Sequence, residues 1–170
     1  MEWVFLVVLY LLDVIFLKSL FYQKEKKNLL KVDFYNEPIE REKIIYVVIT
    51  AIFKKQLVLV KHRERTTWEI PGGHRENNES AFNAAKRELF EETGALEFTL
   101  ERVCAYSVTR DGFGTFGILY WANIEKFGPI PDFEIGETGF FDNLPQNLTY
   151  PEIQPILLMQ VMKKGLFSQG

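Results

Sequence analysis

The order of segments in this chain predicts an α/β fold in which a mixed sheet is held between helices. Three observations carry that expectation. Strand-like apolar runs stand both before and after one short helix. The run Ile44 to Phe53 is continuous and rich in β-branched residues, as in a strand buried on both faces. A second helical pattern, opened by Pro151, closes the chain. At 170 residues, 47% hydrophobic and 25% charged, the chain is long enough for one domain with a substantial core. A net charge of −3 offers no basic footprint for a nucleic-acid polymer. The single cysteine, Cys104, lies in a strand-like run and reads as a small buried hydrophobe in a reducing compartment. His62 and His74 fit no zinc-ligand spacing.

The chain begins with a run, residues 3–22, that is apolar except for Asp13, Lys18 and Ser19. That is the length of one hydrophobic helix able to span a bilayer. Its Leu, Ile, Val and Phe residues contribute roughly −4 to −8 kcal/mol to insertion, against about +3 for Asp13. Lys24, Lys26, Lys27 and Lys31 follow it, which orients the rest of the chain to the cytoplasm, tethered to that face of the membrane. A helix packed on its own domain is the alternative. A polar linker, residues 23–28, leads to the folded domain, residues 29–170.

Within that domain Leu30 to Tyr35 alternates like an edge strand, and Ile44 to Phe53 is central. Lys54-Lys55 turns the chain into a strand from Gln56 to Lys61, which completes a hairpin. Trp68-Glu69-Ile70 leads into the glycine turn Pro71-Gly72-Gly73. Asn77, Asn78 or Ser80 then caps a helix that Gly94 ends. Runs at Glu97–Leu100, Val103–Thr109 and Thr115–Ile124 read as strands, the last two joined through Arg110 to Gly114. A loop, Phe127 to Pro131, precedes the segment Asp132 to Asp142, where Glu134 and Glu137 lie on a loop. In the closing helix Ile153, Ile156, Leu157 and Val161 share a face, and Gly165 is the stop.

The chemistry concentrates between Gly73 and Ala95. Glu88, Glu91 and Glu92 are spaced i, i+3 and i+4, so three carboxylates share one helix face, with Lys86 and Arg87 expected to point elsewhere. Ala81, Ala84 and Ala85 extend that face with small side chains that leave room for a ligand. A hard divalent cation would relieve the repulsion, because Mg²⁺ takes carboxylate oxygens and fills its other positions with water and phosphate.

The whole stretch resembles the Nudix box, G-x5-E-x7-R-E-U-x-E-E-x-G-U, where U is bulky and aliphatic. Gly73, Glu79, Arg87, Glu88, Leu89, Glu91, Glu92 and Gly94 all match, and only Ala95, at the final packing position, departs. The resemblance implies an α/β/α sandwich and a hydrolase that cleaves nucleoside diphosphates linked to another group. It implies that Glu88, Glu91 and Glu92 bind metal, with the backbone carbonyl of Gly72 as a further ligand. Glu79 and Arg87, with Gly73 and Gly94, would hold the loop and helix together. The base that activates water would be Glu88 or a later glutamate, Glu134 or Glu137.

Lys61, Arg63, Arg65 and His74 stand near the turn, where they could meet phosphate or line a solvated basic loop. Trp68 could stack on a base, although its place before the turn favours packing. The downstream signatures of the NADH, ADP-ribose and dinucleoside-polyphosphate branches are missing, and Arg110 stands where the ADP-ribose branch carries a proline. The remaining resemblance is to the MutT-like group acting on nucleoside triphosphates, including oxidised dGTP. Alternatives are another nucleoside-diphosphate substrate or a non-catalytic nucleotide-binding module at the membrane. A third reading makes the N-terminal helix the functional part, with Asp13 paired to a partner helix.

Overall fold

The computed structural model of the protein describes residues 30–129, 131 and 135–168. The hydrophobic run 3–22 and the linker after it lie outside the described residues, as does Glu134. Among the described residues no helix is long and apolar enough to cross a membrane.

Seven strands form one sheet. They are β1 (Lys31–Tyr35), β2 (Ile44–Phe53), β3 (Gln56–His62), β4 (Gly72–His74), β5 (Ala95–Arg110), β6 (Phe113–Phe127) and β7 (Ile135–Phe141). Their order is β1-β5-β6-β2-β3-β7, with β4 also on β2. The β2–β6 pairing is parallel and the others are antiparallel, so the sheet is mixed as expected.

The β-branched run of β2 supplies both faces. Val47, Ile49 and Ala51 pack towards helix α1 (Ala81–Thr93), while Val48 and Ile52 pack towards helix α2 (Gln154–Lys163). This two-sided burial explains why β2 is continuous rather than alternating. The three layers make an α/β/α sandwich.

The tight turns are written in the sequence. Lys54 and Lys55 have φ of 49° and 71°, and Asp111 and Gly112 have 54° and 84°. Two successive positive φ values are what a two-residue hairpin needs to match the strands' twist.

Several boundaries differ from expectation. Glu97–Leu100 and Val103–Thr109 are one 16-residue strand, β5, whose register against β6 shifts at three places. Such bulges bend a strand without ending it, and the polar pair Glu101-Arg102 next to the third shift gives the sequence its false break. The helix expected from Pro151 begins as a turn and becomes helical at Gln154, with Pro155 in its first turn. It buries Leu157 and Val161 together with Gln154 and Leu158, and Ile153 and Ile156 are only half-buried. Cys104 is buried as a free thiol.

What matters for the site is how β2 is shared along one edge. β3 pairs with its last three residues through Gln56 to Val58 and carries β7 on its other edge, while β4 pairs with Tyr46 to Val48. The Ile49 N–H donates to the Pro71 carbonyl at 2.8 Å, which joins the two pairings. The glycine turn is thereby stitched into the sheet directly beside α1.

Candidate metal and phosphate site

Gly72 and Gly73 are required by close approach. A Cβ on Gly72 would stand 2.3 Å from the Val47 carbonyl oxygen and 2.9 Å from the Val48 Cα, so backbone would have to move. A Cβ on Gly73 would stand 2.4 to 2.6 Å from the carboxylate of Glu88. The second glycine therefore exists so that a helix carboxylate can lie against the turn.

The loop after β4 is tied down by arginines. Arg75 donates from Nε to the Ile44 carbonyl at 2.9 Å and from Nη1 to the Glu79 carbonyl at 2.9 Å. Arg41 Nη2 donates to the carbonyls of Asn78 and Glu79 at 3.0 and 3.2 Å. Of the three candidate caps, Ser80 is the one used: its Oγ accepts from the Asn83 N–H at 3.1 Å. Gly94 closes the helix with φ of 73°, its N–H donating to the Phe90 carbonyl at 2.8 Å.

Arg87 is the hub between loop and helix. Its Nε and Nη2 grip both oxygens of Glu79 at 3.1 and 3.0 Å, a bidentate pair, and Nη2 also donates to the His74 carbonyl at 3.0 Å. Its Nη1 donates to Oε1 of Glu88 at 2.9 Å and to Oε2 of Glu91 at 3.0 Å. Arg87 thus does not point away from the carboxylate face. Its long side chain curls along the helix to reach Glu91 four residues on, and Lys86 alone turns aside, to the ring of Phe82.

The alanines are a second correction. Ala84 and Ala85 are fully buried against the sheet, so their small side chains let α1 approach β2 closely rather than leave room for a ligand.

The carboxylates sit in contrasting surroundings. The hydrogen bond from Arg87 holds the Glu79 carboxyl below its ordinary range. Burial pushes Glu88 up, with Arg87 opposing it in part. Glu92 is only 8% exposed, and its Oε2 accepts the Gly72 N–H at 2.8 Å, a direct tie from α1 to the glycine turn. Among the described residues no three His, Cys, Asp or Glu side chains are gathered closely enough to hold a metal. The donor chemistry nonetheless fits a hard cation. Arg87 engages one oxygen each of Glu88 and Glu91, and the second oxygens are still available.

Two residues of this neighbourhood were not expected. His62, at the end of β3, places Nε2 3.3 Å from Oε1 of Glu69 and 3.8 Å from Oε1 of Glu92. Glu69 is 7% exposed and accepts from Arg65 Nη1 at 2.8 Å. The available signal was strand alternation, which puts His62 on the side of the buried Val58 and Val60.

The remaining candidates scatter. Arg63 Nε donates to the Ile135 carbonyl at 3.3 Å, and Arg65 is occupied by Glu69. His74 is exposed and lies against Tyr46, with ring centroids 4.4 Å apart. Trp68 is half-buried, edge-on to Phe141 at 4.9 Å and under the ammonium of Lys61 at 4.6 Å. Glu137 is on strand β7 rather than a loop. It faces Lys61 across the β3–β7 pairing, and the two form an ion pair. It shares the sheet face of Phe141, which packs towards α2, away from the glutamates of α1.

A model of the NUDIX domain matches residues 42–126, which include β4 and all of α1. A Bacillus subtilis (strain 168) protein named "Putative 8-oxo-dGTP diphosphatase YtkD" is 33% identical over 125 residues, spanning 72% of this chain and 77% of that protein. The crystal structure of the Bacillus subtilis pyrophosphohydrolase BsRppH is similar at a TM-score of 0.69 with 28% identity, covering 82% of this chain and 93% of that one. A MutT NUDIX hydrolase from Burkholderia pseudomallei matches at a TM-score of 0.51 with 25% identity, over 69% of this chain and 97% of that one.

Proposed function

This chain belongs to the NUDIX family and is a MutT-like hydrolase, and we propose that it converts a nucleoside triphosphate to the monophosphate and pyrophosphate with the help of Mg²⁺ or Mn²⁺. The observation that carries the reading is the pairing of Glu88 and Glu92 with the two glycines of the turn. It sets acceptor oxygens from the helix beside backbone that has no side chains to exclude a phosphate chain.

Glu88, Glu91, Glu92 and the Gly72 carbonyl are the groups that would hold the cation. When bound there, the cation neutralises charge on the pyrophosphate and polarises the attacked phosphorus. Glu88 is the base we favour. Burial makes its carboxylate more basic than usual, while Arg87 fixes one oxygen and leaves the other to accept a proton. Water oxygen then bonds to an internal phosphorus, the bond to the pyrophosphate oxygen breaks, and the water proton passes to Glu88. Glu137 is the weaker candidate, since Lys61 occupies it on the far face of the sheet. Arg63, in the turn just after β3, and His74, at the end of β4, are proposed to contact phosphate.

The name of the Bacillus subtilis relative makes oxidised dGTP the first substrate to test, with dGTP beside it. The test is a triphosphate panel with Mg²⁺ and products resolved by mass. Monophosphate and pyrophosphate are expected. Orthophosphate with a nucleoside diphosphate would refute the cleavage position. Turnover of only a nucleotide sugar or dinucleotide would move the chain to another branch, and binding without turnover would support the non-catalytic module. We further propose that residues 3–22, apolar over a membrane-spanning length, tether the domain to the cytoplasmic face.

A further inference from the structure

We propose that His62 is a positioning residue for Glu92, acting as a spacer between that carboxylate and Glu69; this rests on reading Glu92 as a metal ligand. Both carboxylates are almost out of water, at 7% and 8% exposure, and both direct an Oε1 towards the same imidazole nitrogen, at 3.3 Å for Glu69 and 3.8 Å for Glu92. Arg65 offsets part of the charge on Glu69, but two carboxylates converging on one nitrogen still repel where little solvent screens them. His62 Nε2 is near both oxygens and closer to Glu69, so a proton carried there would face both carboxylates.

The rest of the arrangement holds each partner still. Glu69 is fixed through its backbone, which exchanges hydrogen bonds with Val60 at 2.9 Å in both directions. Its Oε1 also receives Arg65 Nη1 at 2.8 Å. Glu92 is fixed from the opposite side, through Oε2 and the Gly72 N–H at 2.8 Å. The chain of contacts runs from Arg65 through Glu69, His62 and Glu92 to the glycine turn. Within it His62 keeps Glu69 from pushing Glu92 out of the orientation that Gly72 sets. A side chain of similar bulk without a donor would fill the space and leave two buried carboxylates facing each other. Glu92 would then turn away from the turn, and the cation would lose one of its oxygens. A group that orients a metal ligand without touching the metal typically changes metal affinity by about 10–100-fold.

The test uses the full chain and reads Mn²⁺ binding directly, by the electron paramagnetic resonance of free Mn²⁺, alongside kcat and KM. His62→Leu is expected to weaken Mn²⁺ binding by about tenfold or more and to lower kcat with KM little changed. His62→Gln, whose amide N–H reaches a similar position, should stay within about threefold of the parent. Adding Glu69→Gln to His62→Leu should recover most of the loss, because it removes the repelling charge. A His62→Leu protein that binds Mn²⁺ like the parent would overturn the proposal. Should that variant not fold, His62→Asn, too short to reach Glu69, takes its place with the same two outcomes. Glu92→Gln is the control that keeps the two readings apart. If it binds Mn²⁺ like the parent, the metal assignment itself is wrong. If it binds weakly while His62→Leu does not, only the role of His62 falls.

Discussion

Glu79 and Glu88 share one guanidinium and yet titrate in opposite directions. The folded pKa of Glu79 is depressed, first by its hydrogen bond from Arg87. Its contribution to stability is therefore present above the unfolded carboxylate value near 4.5 and is lost as pH falls through the folded value. Glu88 is raised, first by burial, so its ionisation opposes folding above that same range and the cost is relieved on acidification. Glu79→Gln should accordingly lose about 1–3 kcal/mol at pH 7 and less at pH 3, in denaturant melts at the two pH values. Glu88→Gln should be as stable as the parent or more so at pH 7 while losing turnover. A Glu79→Gln protein equally destabilised at both pH values would contradict the charge-based account. Glu92→Gln keeps an acceptor for the Gly72 N–H, so the fold should survive while kcat drops by roughly two to three orders of magnitude. Parent-like turnover of Glu92→Gln would remove it from the metal set. At this scale the carboxylate stripe was legible because helix spacing alone creates it. The reach of Arg87 to Glu91 is legible too, being i to i+4, once a long side chain is allowed to curl off the face on which its Cα lies. Glu69 and His62 were not legible, since their meeting with Glu92 depends on where β3 and the turn pass α1.

The glycine turn and its helix behave as one element, and the two glycines should fail differently. On Gly73 a methyl group meets only the end of the Glu88 side chain, which can swing away. On Gly72 it meets the backbone of β2, which cannot move without disturbing the sheet. Gly73→Ala should therefore melt within a few degrees of the parent and be nearly inactive. Gly72→Ala should lose roughly 1–3 kcal/mol or more of stability. Equal melting temperatures for the two variants would show that the contacts at Gly72 are not as tight as described. Gly94→Ala, forced into a left-handed conformation, should cost about 1–2 kcal/mol with activity per folded molecule retained. Elements of this kind could be read from sequence when they carry their own punctuation. β2 ran from Ile44 to Phe53 as expected, and the Gly94 stop and the Lys54-Lys55 turn were also placed. β4 was not foreseen as a strand, because three residues with two glycines have no propensity and pair only because β2 has an open edge there. Glu137 reads from sequence as a loop residue for a related reason: Gly136 and Gly139 obscure the alternation of β7, and pairing with β3 creates the strand.

The strand order belongs to the whole molecule, and no local pattern announced it. Nothing in residues 113–127 says that β6 will lie parallel to β2, eight aligned pairs long, with β5 on its other side. That pairing belongs to the assembled core, in which α1 covers one sheet face and α2 the other. Among the described residues, both core clusters draw on residues between Val32 and Phe167, with β1 paired to β5 from Lys31. We predict that this unit folds without what precedes Leu30. This would separate the two roles proposed for the chain. Residues 3–22 are proposed to hold the protein at a membrane, and the sheet and α1 to turn over nucleotide. Full-length protein should sediment with membranes and stay there through an alkaline wash, because Leu, Ile, Val and Phe outweigh Asp13 by roughly 1–5 kcal/mol on the insertion scale. A protein starting at Leu30 should remain in the supernatant and match the full chain in kcat and KM to within about twofold, since none of the candidate site residues is removed. Full-length protein recovered in the soluble fraction without detergent would remove the tether and leave the enzyme unaffected. A truncated protein that is soluble, folded and inactive would have the opposite meaning: residues before Leu30 would then contribute to the site itself.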